Sequence, residues 1–216
     1  MKICHIFGAG DFFEPPVMPC TGDFVVAADG GYHHAHQYTT DVDLLIGDFD
    51  SLPYIPQNVN ITTLPREKSD TDMAHAIEAG LSRGFRIFHI HGGMGGRMDH
   101  TMTNIQLISS LAEKNAQGFL FDQSRAVTVI KNGAAHFPAV SAGIISVLCL
   151  SDKSQGVTLQ GLKYPLENAV LHRTRPIGVS NEFTGKAASV SVETGVLLID
   201  YPKQIMEHPW ELICVC

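Results

Sequence analysis

The feature that most constrains the fold is a change of pattern close to Lys131-Asn132-Gly133. Before it, short apolar runs typical of buried strands alternate with segments whose apolar residues recur at helical spacing. The predicted strands cover residues 3–7, 24–28, 44–46, 85–91 and 118–121, and the clearest predicted helices cover residues 71–83 and 100–114. Strands that alternate with helices form parallel sheets, so residues 1–131 predict an α/β domain with a mostly parallel sheet.

After this point the chain becomes rich in β-forming residues. Short runs separated by glycine, proline and asparagine follow one another, and no convincing helical pattern occurs. The runs cover residues 144–150, 156–159, 169–172, 188–192 and 196–199. This pattern predicts a small antiparallel sandwich or barrel over residues 137–216, with the domain boundary near residues 131–137.

Composition excludes several classes of protein. The formal net charge is -7 and no Lys/Arg run exceeds two residues, so we expect no nucleic-acid surface. No stretch approaches the ~20 apolar residues of a membrane helix, and the first seven residues are too short for a signal peptide. The five cysteines lack the spacing of a metal site or a disulfide framework, which predicts a cytoplasmic protein.

The densest chemical signal is Gly47-Asp48-Phe49-Asp50-Ser51, directly after the predicted strand at 44–46. Ligand sites in α/β sheets lie at the carboxyl ends of strands. Asp48 and Asp50 would repel each other unless a cation lay between them, and Mg²⁺ prefers carboxylates together with substrate phosphates. A polar loop in which both aspartates cap backbone N–H groups is an equally good interpretation of this pair alone.

A second acidic segment, Glu67-Lys68-Ser69-Asp70-Thr71-Asp72, precedes the predicted helix at 71–83. Ser69 with Asp72 fits a helix-capping pattern, and acids in the first turn complement the helix dipole. The functional alternative places Asp72 on a metal ion and Lys68 on a phosphate. On this segment alone the capping interpretation is favoured.

The third segment is Gly92-Gly93-Met94-Gly95-Gly96-Arg97-Met98-Asp99-His100, between a predicted strand and a predicted helix. Four glycines in five residues are costly to order unless the backbone bends tightly or approaches a ligand closely. A loop of this kind can bind phosphate with its backbone N–H groups. The spacing matches neither the P-loop nor the dinucleotide fingerprint.

Together these segments resemble the thiamine pyrophosphokinase family, in order and in spacing. Asp29-Gly30-Gly31 is similar to the Asp-Gly-Gly turn of that family. In the β-rich part, Gly161-Leu162-Lys163-Tyr164-Pro165-Leu166 and Ser180-Asn181-Glu182-Phe183 resemble the segments of the family that face thiamine. The resemblance extends over nearly the whole chain.

The resemblance implies a Rossmann-like N-terminal α/β domain, a C-terminal β-sandwich, and a homodimer with active sites where the two domain types meet. It implies that Mg²⁺ binds to Asp48, Asp50 and Asp72, and that Asp99 lies beside the reacting centre. Arg97 and Lys68 would contact the triphosphate of ATP, and Tyr164 would stack on thiamine. The other residues that the resemblance assigns to ATP or thiamine are Asp29, Gly30, Gly95, Gly96, His100, Ser180 and Asn181.

The implied reaction moves the diphosphate of ATP to the hydroxyl group of thiamine, releasing AMP. Asp99 or a metal-bound carboxylate would accept the hydroxyl proton, and the sequence does not decide between them. Two alternatives stay open. One is diphosphate transfer to another alcohol such as a pterin, against which Tyr164, Ser180 and Asn181 argue. The other is a non-catalytic nucleotide-sensing module, which would be expected to lack some of the acidic residues.

Other residues have no place in these motifs. His33, His34 and His36 are expected on a solvated helix surface, since their spacing is too crowded for a metal site. His89 and His91 share one face of a predicted strand, where we expect hydrogen-bonded structural histidines. The segment Phe12-Phe13-Glu14-Pro15-Pro16 resembles no pattern of the family.

Overall fold

The computed structural model describes residues 2–38, 41–49, 56, 59–67 and 69–207, and the backbone of residues 214–215. The chain divides into two compact units. Unit 1 comprises Met1–Leu107 with Gly118–Gln123, and unit 2 comprises Ile108–Gln117 with Ser124–Cys216.

Unit 1 is built from parallel strands and helices. Its elements are β1 (Cys4–Phe7), β2 (Phe24–Ala28), α1 (Gly31–Tyr38), β3 (Leu44–Gly47), β4 (Asn60–Thr63), α2 (Asp72–Ser82), β5 (Ile87–His91), α3 (Met98–Glu113), which begins in this unit, and β6 (Gln117–Phe121). The pairs β1–β2, β1–β5, β2–β3 and β3–β4 are all parallel, and the strand order is β6-β5-β1-β2-β3-β4. The predicted parallel α/β arrangement is therefore found.

The register of this sheet brings four loops to one edge. Phe7, the last residue of β1, pairs with Ala27 of β2 and with His91, the last residue of β5. Ala28 pairs with Ile46 near the end of β3. Because parallel strands share a direction, the loops that follow β1, β2, β3 and β5 all leave from the carboxyl edge of the sheet.

Helix α2 begins differently from the prediction. Thr71, not Ser69, is the N-cap: its side chain accepts a hydrogen bond from the N–H of Ala74 at 3.2 Å. Asp72 is the first helical residue, where its charge complements the helix dipole. The capping pattern proposed for Ser69 with Asp72 is therefore wrong in its cap residue.

Unit 2 contains two antiparallel arrangements of strands. Its strands are β7 (Arg125–Lys131), β8 (Ala134–Phe137), β9 (Ile144–Cys149), β10 (Lys153–Gln160), β11 (Leu166–His172), β12 (Asn181–Glu182), β13 (Ala188–Ser191), β14 (Val196–Pro202) and β15 (Cys214–Val215). One arrangement has the order β12-β9-β14-β7, and the other has the order β11-β10-β13-β8-β15. Over the described residues 124–207 the one helical element is a 3-10 turn at Lys203–Glu207, as the absence of a helical pattern predicts.

The longer segment of unit 2 begins at Ser124. It includes β7, which pairs with β14 along its whole length, from Arg125 opposite Pro202 to Lys131 opposite Val196. The domain boundary near residues 131–137 stays a prediction. Helices of the length and apolarity needed to cross a membrane are absent from the described part of the chain.

Candidate functional site

A cavity of about 850 Å³ opens in unit 1 among the loops at the carboxyl edge of the sheet. This volume lies within the range of small-molecule and cofactor sites. Residues from the loops after β1, β2 and β5 and from the start of α2 line it. Among them are the following residues singled out from the sequence: Asp29, Asp72, Gly95, Gly96, Arg97 and His100.

Asp29 lies in the tight turn between β2 and α1. Its backbone is left-handed, with φ 48°, and its N–H donates to the carbonyl of Ile46 at 2.8 Å. A Cβ on Gly31 would lie 1.9 Å from the carbonyl oxygen of Phe7, so α1 can start here only with glycine. The Asp-Gly-Gly sequence thus brings α1 against the end of β1 and places Asp29 on the cavity; Gly30 is not among the lining residues.

The glycine-rich loop after β5 is hydrogen-bonded, backbone to backbone, to a second loop after β1. Gly8 donates its N–H to the carbonyl of His91 at 2.8 Å, and Gly10 donates to the carbonyl of Gly92 at 3.0 Å. A Cβ on Gly10 would lie 2.6 Å from that Gly92 oxygen. The close approach of two backbones explains why both loops are rich in glycine.

Asp11 is a site residue that the sequence analysis missed. Its Oδ2 accepts a hydrogen bond from the N–H of Gly96 at 3.1 Å, and a Cβ on Gly95 would lie 2.3 Å from that oxygen. Gly95 and Gly96 both have left-handed backbones, with φ 83° and 61°. A carboxylate oxygen thus accepts a hydrogen bond from an N–H of the glycine-rich loop. Backbone N–H groups of such loops also bind phosphate oxygens. The sequence feature that indicates this role is the position of Asp11, directly after Gly8-Ala9-Gly10 at the end of a predicted strand.

Arg97 and Asp99 form a two-pronged ion pair on the surface. The Nε of Arg97 donates to Oδ1 of Asp99 at 3.1 Å, and its Nη2 donates to Oδ2. Their side chains are 71% and 63% exposed, and the pair lowers the pKa of Asp99 and raises that of Arg97. Of these two residues, Arg97 lines the cavity and Asp99 does not. The ion pair with Asp99 orients the guanidinium group of Arg97. The predicted place of Asp99 beside the reacting centre stays a prediction.

The other predicted metal and phosphate ligands are Asp48, Asp50 and Lys68. Asp48 is half-buried directly after β3 but is not among the residues that line the cavity. Asp50 and Lys68 lie outside the described residues. Their roles stay predictions.

The donor set of the cavity fits a hard divalent cation. Three carboxylates line it, those of Asp11, Asp29 and Asp72. In the described part of the chain no group of three or more His, Cys, Asp or Glu side chains is arranged to hold a metal by itself. Mg²⁺ usually binds to one or two carboxylates and completes its shell with water and substrate phosphates, so this arrangement suits it.

A cluster of three buried histidines lies under this edge. The Nδ1 of His5 is 3.4 Å from Nε2 of His91, and Nε2 of His5 is 3.4 Å from a carboxylate oxygen of Asp23. Neither ring nitrogen of His89 has a hydrogen-bond partner among the described residues. The expectation of a hydrogen-bonded His89 is therefore wrong, because its face of β5 packs against Phe119 and Phe121.

Burial sets the ionisation of this cluster. It lowers the pKa of His5 to about 4, although the nearby Asp23 carboxylate opposes the shift. It also lowers the pKa of His89, and His5 adds to that effect. Both rings are therefore neutral at neutral pH.

The residues predicted to face thiamine come together in unit 2. Asn181 is 3% exposed, and its Oδ1 accepts the N–H of Tyr164 at 2.9 Å while its Nδ2 donates to the carbonyl of Tyr164 at 2.7 Å. Tyr164 itself is 57% exposed. The amide of Asn181 thus holds the backbone that presents the Tyr164 ring.

Two neighbours complete this surface. Lys163 donates to Glu182 Oε1 at 2.7 Å, and its ammonium lies 5.4 Å from the centre of the Tyr164 ring. Ser180 is exposed, and its left-handed backbone, with φ 59°, is fixed by a hydrogen bond from its N–H to Ser146 Oγ at 3.1 Å. The structure brings Tyr164, Ser180 and Asn181 into one region, and their roles towards thiamine stay predictions.

Two family models match the chain. The one described as thiamin pyrophosphokinase, catalytic domain, matches residues 21–120, and the one described as thiamin pyrophosphokinase, vitamin B1 binding domain, matches residues 138–197. Thiamine pyrophosphokinase of Bacillus subtilis (strain 168) is 28% identical over 160 residues, which cover 71% of this chain and 75% of that protein. Thiamin pyrophosphokinase 1 of Caenorhabditis elegans is 24% identical over 173 residues, 74% of this chain and 71% of that protein.

Solved structures show the same fold. The crystal structure of thiamine pyrophosphokinase from Bacillus subtilis superposes with a TM-score of 0.80 at 24% identity, covering 94% of this chain and 99% of that one. The thiamin pyrophosphokinase from Geobacillus thermodenitrificans gives a TM-score of 0.79 at 25% identity, covering 94% and 97%. These matches confirm the resemblance drawn from the motifs.

Proposed function

The chain belongs to the thiamin pyrophosphokinase family, and from this premise we propose that it transfers the diphosphate of ATP to the hydroxyl group of thiamine. The products are thiamine diphosphate and AMP. The observation that carries the proposal is the cavity of unit 1, where carboxylates and a glycine-rich loop meet at the strand ends. This combination suits a metal-bound polyphosphate.

In the proposed reaction the hydroxyl oxygen of thiamine attacks the β-phosphorus of ATP. The bond from that phosphorus to the bridging oxygen of the α-phosphate breaks, and AMP leaves with the electron pair. The hydroxyl proton passes to Asp99 or to a metal-bound carboxylate. Such transfers depend on positioning and charge neutralisation more than on covalent catalysis, and Arg97 supplies a cation at the cavity.

Magnesium is part of this proposal. Asp48, Asp50 and Asp72 would hold it, of which Asp72 lines the cavity and Asp50 lies outside the described residues. When bound, it neutralises phosphate charge and orients the triphosphate. Asp29 and Gly95 are proposed to contact the nucleotide from the loops on either side, and Lys68 and His100 to contact its phosphates.

Thiamine is proposed to bind to the Tyr164 surface of unit 2. Its cationic thiazolium ring can stack on the exposed phenol ring, with Ser180 as a polar contact. We propose that Asn181 acts mainly through the two backbone hydrogen bonds that orient Tyr164.

Architecture and setting follow from the family. We propose a Rossmann-like catalytic domain at residues 1–131 and a β-sandwich thiamine-binding domain at residues 137–216. A cytoplasmic homodimer, with each active site completed by both domain types, is also proposed. The parallel strands of unit 1 and the antiparallel strands of unit 2 support the first of these statements.

The assignment of Asp72 is tested with Asp72→Asn and a matched control, Asp70→Asn. Asp70 is exposed two residues earlier and does not line the cavity. We expect Asp72→Asn to reduce AMP formation by at least about a hundredfold and to weaken Mg²⁺ binding measured by calorimetry. Asp70→Asn should leave both unchanged. Full activity of a folded Asp72→Asn variant would contradict the metal assignment.

A further inference from the structure

The loop after β1 forms part of the cavity wall although it lies outside both family matches. The matches cover residues 21–120 and 138–197. Phe12 in this loop nevertheless lines the cavity, together with His34 and Gln37 of α1. The catalytic chemistry proposed above uses none of these three residues.

Phe12 and His34 form a parallel stack. Their ring centres are 4.5 Å apart and their planes differ by 5°. The Phe12 ring also packs against Phe7 and Tyr38, whose ring centres lie 5.9 Å and 5.3 Å from its own. Among the described residues Phe12 is the one aromatic ring that contacts His34. A half-buried imidazole stacked on a phenyl ring therefore forms part of the cavity wall.

The imidazole is neutral at neutral pH. Burial and then the neighbouring His33 lower the pKa of His34, and a hydrogen bond with the backbone of Gly10 opposes them. The same hydrogen bond ties α1 to the loop after β1. The expectation of a solvated His34 is therefore wrong, because Phe12 packs on its ring. A flat neutral surface on the wall of a cavity that also holds three carboxylates and Arg97 suits an uncharged aromatic ring.

We propose that the Phe12–His34 stack is the platform for the adenine ring of ATP. The inference rests on the proposed function, since it takes ATP as the nucleotide of the phosphate-binding loops in the same cavity. Gln37 lies one helical turn after His34, and its amide offers the donor and acceptor that match the N6/N7 edge of adenine. The rings of thiamine are the less suitable occupant, since one is cationic and the residues proposed for them lie in unit 2.

The test separates the base from the phosphates. Calorimetry with Mg²⁺ compares ATP with inorganic tripolyphosphate, which carries the same phosphates but no base. We expect His34→Ala to weaken ATP binding about tenfold, since base stacking is lost, while tripolyphosphate affinity changes less than about twofold. His34→Phe should restore ATP binding. His33→Ala, an exposed histidine that does not line the cavity, is the matched control and should change neither ligand.

A second readout reports stacking itself. The emission of 2-aminopurine riboside triphosphate should be quenched on binding to the wild type and to His34→Phe, but not to His34→Ala. Gln37→Ala should reduce the preference for ATP over GTP while tripolyphosphate binding stays unchanged.

Several results would overturn the platform. One is an equal loss of ATP and tripolyphosphate binding in His34→Ala, which would make the stack purely structural. The others are an ATP affinity that is unchanged in this variant, or a loss of thiamine binding alone. If the wild type turns ATP over and His34→Ala keeps the wild-type ratio of the two affinities, only the platform fails. A wild type that binds neither ATP nor tripolyphosphate would overturn the proposed function as well.

Discussion

Acidification should destabilise this protein through the histidines buried under the site. His5 and His89 are fully buried and their pKa values are lowered, chiefly by burial. In the unfolded chain the same rings titrate at their ordinary pKa of 6.5. Below that pKa the unfolded chain binds protons that the folded protein does not yet bind. The free energy of unfolding is therefore highest above this pKa and decreases as the pH falls towards the lower pKa of the folded protein.

The size of the effect follows from His5 alone. With a pKa of 6.5 in the unfolded chain and about 4 in the fold, linkage gives a loss of about 2 kcal/mol between about pH 7 and pH 5. His89 adds to this loss. Asp23 does not contribute in this range: burial would raise its pKa, but hydrogen bonds from the N–H groups of Ile3 and Cys20 together lower it below 3.8.

Urea unfolding at a series of pH values measures this term, with the free energy of unfolding obtained at each pH. His5→Gln removes the titrating ring and should flatten the curve by about 2 kcal/mol over the same interval, whatever its effect at neutral pH. His33→Gln, an exposed histidine, is the control and should follow the wild type. Equal slopes for wild type and His5→Gln would refute the argument.

Two further substitutions test the local packing arguments. Gly31→Ala should destabilise unit 1 by about 3 kcal/mol or more, because its Cβ would lie 1.9 Å from the Phe7 carbonyl oxygen. Thermal unfolding measures this loss of stability. A loss below about 1 kcal/mol would contradict the close approach of α1 to β1. Asn181→Ala should cost about 1–3 kcal/mol, because the part-buried backbone N–H and carbonyl of Tyr164 lose their hydrogen bonds to the buried amide. It should also raise KM for thiamine and leave KM for ATP unchanged. Thr184→Ala, which loses one exposed hydrogen bond to Gly161, is its control, and an equal effect of the two would contradict the positioning of Tyr164.

Buried strands could be predicted from the sequence because their side chains form continuous apolar runs. β2 lies at residues 24–28 as predicted, and β1, β3, β5 and β6 differ from their predictions by at most two residues at an end. β4 was missed for the same physical reason, since all four residues of Asn60–Thr63 are exposed and carry no apolar pattern.

The parts of the site that depend on contacts between distant loops could not be predicted. Asp11 becomes a site residue only because the loops after β1 and β5 approach closely enough for its carboxylate to reach Gly96. Phe12 and His34 are likewise distant in sequence and meet only in the fold. Periodicity placed His89 and His91 on one face of a strand, but not His5 opposite them on β1.

The central claim is the transfer of diphosphate from ATP to thiamine, and phosphorus NMR of the purified protein with Mg²⁺, ATP and thiamine tests it most directly. We expect AMP and thiamine diphosphate to appear together in equal amounts. ADP with thiamine monophosphate would show that the wrong phosphorus is attacked. AMP formation with a pterin alcohol but not with thiamine, or no thiamine-dependent turnover at all, would contradict the proposed function.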